Sequence, residues 1–130
     1  MSYVLAIDQG TTSTRAIIFD KDLEIVASSQ KEIEQFYPFS GWVEHDLEEI
    51  YSTVMDTLRD AVKKAKINSQ DILSIGITNQ RETTALWNAE TAQPLSRAIV
   101  WQDRRTSEFC NELKKNGKEE IYQEKTGLLI

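Results

Sequence analysis

Asp8-Gln9-Gly10-Thr11-Thr12-Ser13-Thr14-Arg15 lies between two apolar runs, Val4 to Ile7 and Ala16 to Phe19. Two short β-branched runs joined by a turn rich in glycine and hydroxyls predict a hairpin with chemistry at its tip. Gly10 permits a left-handed or strained backbone, and the hydroxyls of Thr11, Thr12, Ser13 and Thr14 can donate to anionic oxygens without adding charge. Turn amides can add a phosphate nest. Asp8 ends the first run at the same tip, where a carboxylate repels phosphate but suits a hydrated Mg²⁺. Metal and phosphate together point to a nucleotide. Composition alone also accommodates an ordinary polar hairpin, because Gly, Thr and Ser are common in turns.

The lysine-containing Walker loop and the dinucleotide G-x-G-x-x-G pattern do not occur, and both run from strand into helix, whereas this tip leads into a second strand. Leu23 to Ser29 follows as a third strand, completing a meander. From Lys31 to Asp46 the pattern breaks up around Pro38 and Gly41, and Phe36, Tyr37, Phe39 and Trp42 are read as folding the loop onto the domain rather than as ligand contacts. Asp46 opens a helix to about Lys66, with Glu49 completing an analogue of the capping box. Leu47, Ile50, Tyr51, Val54, Leu58, Ala61, Val62 and Ala65 give that helix one apolar stripe. His45, with no second histidine in the chain, reads as a surface or loop-anchoring group rather than a metal ligand.

Ile72 to Ile77 is apolar at nearly every position and predicts a central, buried strand. A helix crossing from the meander makes it parallel to the first strand, so Thr78-Asn79-Gln80-Arg81-Glu82-Thr83 leaves the sheet beside Asp8 and Gly10, in the kind of crevice ligands favour. Thr84 to Trp87 reads as a further strand, Asn88 to Pro94 as a turn, Ala98 to Trp101 as a further short apolar run, and Asp103 as the cap of a helix to about Asn116 that Gly117 stops. A short helix over Lys118 to Thr126 follows. The fold class expected is α/β, a mixed sheet with an antiparallel meander and a crossover helix, in one domain over 1–130.

With 40% hydrophobic and 28% charged residues the composition is that of a soluble globular domain. A net charge of −6 opposes a nucleic-acid backbone, and no run is long enough for membrane insertion. The single cysteine, Cys110, cannot form an internal disulfide and is expected to be a buried, inert thiol. With no leader-like start at Met1-Ser2-Tyr3, a cytoplasmic setting is expected. The apolar ending Leu128-Leu129-Ile130 suggests a truncated polypeptide, and its exposure would favour self-association, a homo-oligomer included.

Four motifs in order carry a resemblance. They are Asp8 to Arg15, Gly41-Trp42-Val43-Glu44-His45-Asp46, Asn79-Gln80-Arg81-Glu82-Thr83, and Trp101-Gln102-Asp103-Arg104-Arg105. The first alone marks the wider actin-like and hexokinase-like ATPase group. Together they resemble the FGGY carbohydrate kinase family over essentially the whole chain, and its glycerol-phosphorylating members more than its sugar kinases. The resemblance implies a ribonuclease H-like N-terminal domain of a two-domain enzyme that transfers the γ-phosphoryl group of ATP to glycerol, giving glycerol 3-phosphate. By matching position, Gly10, Thr11, Thr12, Ser13 and Arg15 would address the nucleotide phosphates, Asp8 would lie near Mg²⁺, and Arg81, Glu82 and Trp101 would line glycerol. Arg81 could also hold Glu82. Enzymes of the family are several times longer, so the general base, the adenine pocket and the closing lobe are expected in sequence beyond Ile130, the missing C-terminal part. Asp8, Glu82 and Asp103 are the carboxylates in or near the supposed cleft. Without that part the chain is expected to be inactive. The alternatives are a non-catalytic nucleotide- or partner-binding fragment, another sugar kinase of the family, and a ribonuclease H-like nuclease, which the acidic surface disfavours.

Overall fold

The computed structural model describes residues 2–130; Met1, the first residue of the expected 1–130 domain, lies outside them. The meander forms as β1 (Tyr3–Gln9), β2 (Ser13–Phe19) and β3 (Ile25–Glu32). β2 begins at Ser13, ahead of the apolar run, and pairs antiparallel with β1 through Leu5↔Ile18, Ile7↔Ala16 and Gln9↔Thr14. Because Ser13, Thr14 and Arg15 are already in the strand, alternation divides them: Thr14 turns inward and is fully buried, while Ser13 and Arg15 face the other side. Thr14 is therefore not one of the hydroxyls offered at the tip. β3 starts at Ile25 rather than Leu23, because Asp20 Oδ1 accepts the amides of Asp22 and Glu24 (2.9 and 3.0 Å) and Leu23 takes φ +63° in the turn.

A chain crossing through the two-residue strand β4 (Glu44–His45) leads to α1 (Leu47–Ala65), which lies over β2 and β3. Asp46 caps it by accepting from the amides of Glu48 and Glu49 at 2.8 and 3.2 Å. The capping box is only half made: Glu49 Oε1 instead accepts the Glu34 amide at 3.1 Å and ties down the preceding loop. The buried line of α1 is Thr53, Thr57 and Ala61, with Val54, Leu58 and Val62 flanking it against Leu5, Ile7, Ala16 and Ile18. The centre of the stripe is thus polar, and Tyr51 is exposed. Thr53 spends its proton on the Ile50 carbonyl (2.8 Å), so the Thr14 hydroxyl, 2.9 Å away, donates to Thr53 Oγ1. Both buried hydroxyls are satisfied, which makes them tolerable beneath the sheet.

After a 3₁₀ turn (Ser69–Asp71), β5 (Ile72–Thr78) pairs parallel with β1, giving the order β3-β2-β1-β5. The expectation of a central buried strand is overturned. β5 stands at the sheet's edge, and α1 lies mainly over β2 and β3, so Ile75 and Ile77 remain 53% and 73% exposed although they share a face with buried Leu5 and Ile7. Thr84 to Trp87 is not a strand either; it is reduced to isolated bridges, Thr84 with Ile99 and Trp87 with Pro94. β6 (Ala98–Ile99) pairs with β4. Two helices follow, α2 (Ser107–Lys115), with Thr106 rather than Asp103 at its N-cap position and no side-chain capping bond, and α3 (Glu119–Thr126). With no layer over its apolar face, α2 leaves Phe109 exposed and Cys110 only half-buried, short of the buried thiol expected.

Candidate active-site cleft

Parallel pairing of β1 with β5 brings two loops to the same sheet edge, since Asp8 lies opposite Thr78. Between them is a cleft of about 380 Å³ lined by Asp8, Gln9, Gly10 and Thr11 on one side, Asn79, Gln80, Arg81 and Glu82 on the other, and Trp101. Of the residues expected at a site, Asp8, Gly10, Thr11, Arg81, Glu82 and Trp101 converge here. Thr12, Ser13 and Arg15 do not line it. Arg15 donates to Gln30 Oε1 from Nε and Nη2 (3.1 and 2.7 Å), and Gln30 Nε2 donates to Ser13 Oγ (2.9 Å), which holds both on the outer sheet face.

The tip is a tight turn in which the Gly10 amide donates to the Ser13 carbonyl at 2.9 Å. Gly10 is not left-handed; a Cβ there would stand 3.2 Å from that same carbonyl oxygen, so close approach rather than a positive φ accounts for the glycine. Among the described residues the Thr11 and Thr12 amides make no backbone hydrogen bond, leaving two donors at the tip. Trp101 Nε1–H donates to Thr11 Oγ1 at 2.9 Å, so the threonine's own proton points elsewhere and stays available to an anion.

On the opposite side Arg81 and Glu82 are exposed, and neither side chain has a hydrogen bond or ion pair among the described residues. The expected hold of Arg81 on Glu82 is not formed. Glu82 takes φ +64°, a left-handed backbone that a non-glycine residue adopts at a cost and that concentrates at binding sites. Asp8 is likewise exposed, with no side-chain hydrogen bond or ion pair among the described residues.

Trp101 is presented by a rigid turn. Asp103 Oδ2 accepts the Val43 amide (2.7 Å), and its two oxygens also take Arg105 Nε and Nη2 (2.9 and 2.7 Å). Arg105 reaches Glu44 as well (2.9 Å) and lies over the Trp42 ring, 3.6 Å from its centroid. The Arg105 hydrogen bond, aided by the Arg105 and Val43 amides, holds the Asp103 carboxyl down at about 2 against the opposing effect of burial. Asp103 is a strut and a poor base, which removes it from the candidate carboxylates. Phe36 packs under Arg97 (3.6 Å) and Trp42 meets Phe39 edge-on at 4.9 Å, but Tyr37 and Phe39 are exposed, so only part of the aromatic segment folds onto the domain as expected, and none of it lines the cleft.

Sequence reasoning missed the floor of the cleft. His45 is fully buried rather than on the surface, and it anchors loops as the other half of its reading expected, through bonds to Gln35 and Gln80 with Gln9 adjoining. The signal was available in a lone histidine beside the apolar Val43 and two residues from a helix start, but nothing local pointed to its glutamine partners.

A mixed sheet with a β1-tip-β2 hairpin and a parallel β5 meeting at one edge defines an actin- and hexokinase-like ATPase fold of the ribonuclease H type. Residues 3–130 match the FGGY family of carbohydrate kinases, N-terminal domain, and the chain belongs to that family. It is 58% identical over 128 residues to a glycerol kinase of Rhizobium meliloti (strain 1021), covering 98% of this chain and 26% of that protein. The crystal structure of Plasmodium falciparum glycerol kinase with ADP superposes with a TM-score of 0.88 at 37% identity, over 99% of this chain and 26% of that one. A gluconate kinase from Lactobacillus acidophilus shares the fold at a TM-score of 0.89 and 24% identity, over 98% of this chain and 25% of that one. The chain thus spans about a quarter of the length of the relatives it matches.

Proposed function

We propose that this chain forms the phosphate- and polyol-binding wall of an enzyme that transfers the γ-phosphoryl group of ATP to glycerol, yielding glycerol 3-phosphate. The observation that carries this is the convergence, in one cleft, of free donors at the Gly10 tip with unpartnered Arg81 and strained Glu82. Glycerol offers three hydroxyls: Glu82 accepts from them, Arg81 donates to one, and the Trp101 face covers the carbon skeleton. Thr11 and the tip amides address the terminal phosphates, and Thr12, Ser13 and Arg15 serve a nucleotide lying across the tip; Arg15 would first have to leave Gln30.

Mg²⁺ fits the donor set, because Asp8 is an oxygen ligand without an internal partner and this ion is commonly held by one or two carboxylates plus substrate phosphates. Bound there, it would neutralise charge on the transferring phosphoryl group. Positioning and charge neutralisation dominate such transfers, and this wall supplies the positioning. The base that takes the glycerol proton is assigned to the remaining three quarters of the enzyme. A cytoplasmic setting suits an ATP-dependent enzyme with one cysteine. No helix among the described residues is long and apolar enough to cross a membrane. The runner-up, a nucleotide-binding fragment without turnover, draws on the chain's spanning only a quarter of its relatives.

Substrate titrations of the complete enzyme test the assignment. Glu82→Ala should raise the glycerol KM by about tenfold or more, the loss of hydrogen bonds to a charged acceptor, while Thr11→Val acts mainly on ATP. If Glu82→Ala altered only the nucleotide, the polyol assignment would fail.

A further inference from the structure

Beneath the cleft runs a chain of side-chain amides interrupted by one imidazole, and every proton in it can be assigned. Gln35 Nε2 donates to the carbonyls of Thr11 (2.9 Å) and Ile33 (3.2 Å), so its Oε1 must face His45 Nε2, 2.8 Å away. His45 Nε2 therefore carries a proton and donates. At the other side of the ring, Gln80 Nε2 lies 3.2 Å from His45 Nδ1 and 3.2 Å from Gln9 Oε1, while Gln80 Oε1 accepts from the Thr83 hydroxyl at 3.0 Å. Nδ1 is therefore the bare nitrogen and accepts. Gln9 Nε2 closes the circuit by donating to the Gly10 carbonyl at 2.8 Å.

Both ends of this circuit grip carbonyls of the tip, at Gly10 and Thr11, and its middle is Gln80, the residue before Arg81 and Glu82. We infer that His45 is a positioning residue: as a neutral ring protonated on Nε2 it keeps the polyol loop in register with the phosphate tip, and a second proton releases the polyol side selectively. The inference rests on the substrate assignments proposed above, and deepens them by coupling the two sides through one ring.

The selectivity follows from the directions of the bonds. Protonated Nδ1 would oppose a donor with a donor, so Gln80 must rotate, and Gln9 Oε1 then loses its partner. The bond from Nε2 to Gln35 survives protonation unchanged in direction, so the Thr11 carbonyl stays held. Burial pushes the ring below its ordinary value of 6.5, against the field of Glu49 on α1. Glu49 is the charged group acting on the ring among the described residues; Gln9, Gln35 and Gln80 are uncharged. A neutral ring at physiological pH is what the circuit requires.

The chain contains one histidine, so uniform ¹⁵N labelling of the 130-residue protein reads its ring without overlap and the backbone amides alongside it. The expected result is an Nε2–H tautomer at neutral pH, a titration midpoint below 6.5, and amide shifts of Arg81 and Glu82 that move with that midpoint while Thr11 does not. An Nδ1–H tautomer, or a titration that leaves residues 80–82 unmoved, would overturn the inference whatever reaction the enzyme performs. Kinetics of the complete enzyme provide the second arm. His45→Gln can keep the donor toward Gln35 but loses the acceptor for Gln80, so the glycerol KM should rise about tenfold with ATP little changed, as expected for one lost hydrogen bond. His45→Asn, whose oxygen can take the place of Nδ1, should largely rescue glycerol. In the unsubstituted enzyme the glycerol KM should rise as the medium becomes acidic, and in His45→Gln that rise should vanish. Equal effects on both substrates would overturn it. Absence of glycerol turnover in the unsubstituted enzyme would instead sink the functional proposal and leave the spectroscopic arm to decide His45.

Discussion

At the residue scale, Glu82 combines a side chain with no internal partner and a backbone at φ +64°, a combination that costs stability and gives the isolated fold nothing in return. A left-handed conformation costs a non-glycine residue about 1–2 kcal/mol, and glycine escapes that cost. Glu82→Gly is therefore expected to raise the unfolding free energy by about 1 kcal/mol while abolishing tight glycerol binding in the complete enzyme. Chemical denaturation of the variant alongside the parent checks the first half, and calorimetric titration with glycerol the second. An unstabilised variant would mean that the backbone is not strained, and retained glycerol affinity would mean that the carboxylate is not a ligand. Thr11 shows a related economy: by accepting from Trp101 it leaves its own proton directed at whatever anion reaches the tip. On the proposed assignment the same indole reaches the phosphate side through its bond to Thr11 and turns its face to the polyol.

At the scale of elements, the turn from Val100 to Arg105 has no regular structure yet is fixed as firmly as a strand, through Asp103 and its bonds to Val43 and Arg105. Asp103 sits at about 2 in the folded chain against an ordinary 3.8, so its contribution is fully present above about pH 5 and is lost as pH falls toward 2. The shift corresponds to about 2 kcal/mol. Acid unfolding followed by tryptophan fluorescence should show that much more loss in the parent than in Asp103→Asn between about pH 5 and about pH 2; parallel profiles would count against the strut. Local pattern revealed the hairpin, α1 and the parallel return strand, because apolar alternation and an Asp cap are written within a few neighbouring residues. It missed what depends on partners distant in sequence. The apolar run of β5 reads as central, yet burial depends on what covers a strand, and α1 packs mainly over β2 and β3. Asp103 has the chemistry of a helix cap but is engaged by Val43, 60 residues earlier. The site was legible through its motifs, whereas the division of Thr14 from Ser13 and Arg15 needed the strand's true start.

At the scale of the molecule, the cleft is half-open, and the face beyond β5 is uncovered. Leu73, Ile75 and Ile77 are 72%, 53% and 73% exposed, a row of apolar side chains on an edge strand that invites association. The 130 residues prepared alone should accordingly self-associate with rising concentration, and Ile75→Thr with Ile77→Thr should reduce this without loss of helix signal. The same preparation should form no measurable glycerol 3-phosphate. A glycerol hydroxyl must be deprotonated in line with the γ-phosphate while water is excluded, since water would otherwise compete as the acceptor. On the proposed assignment Asp8 holds the metal and Glu82 the polyol, which leaves none of the carboxylates lining the cleft to take the proton. This chain covers 26% of such a relative, so nearly three quarters of the relative's length lies outside what is matched here. A coupled assay for glycerol 3-phosphate on monodisperse protein, with Mg-ATP and glycerol, should therefore read background until the remainder of the enzyme is supplied, and turnover should then appear. Substantial turnover by the 130 residues alone would reverse the argument, and would require Asp8 or Glu82 to act as the base from a half-open cleft.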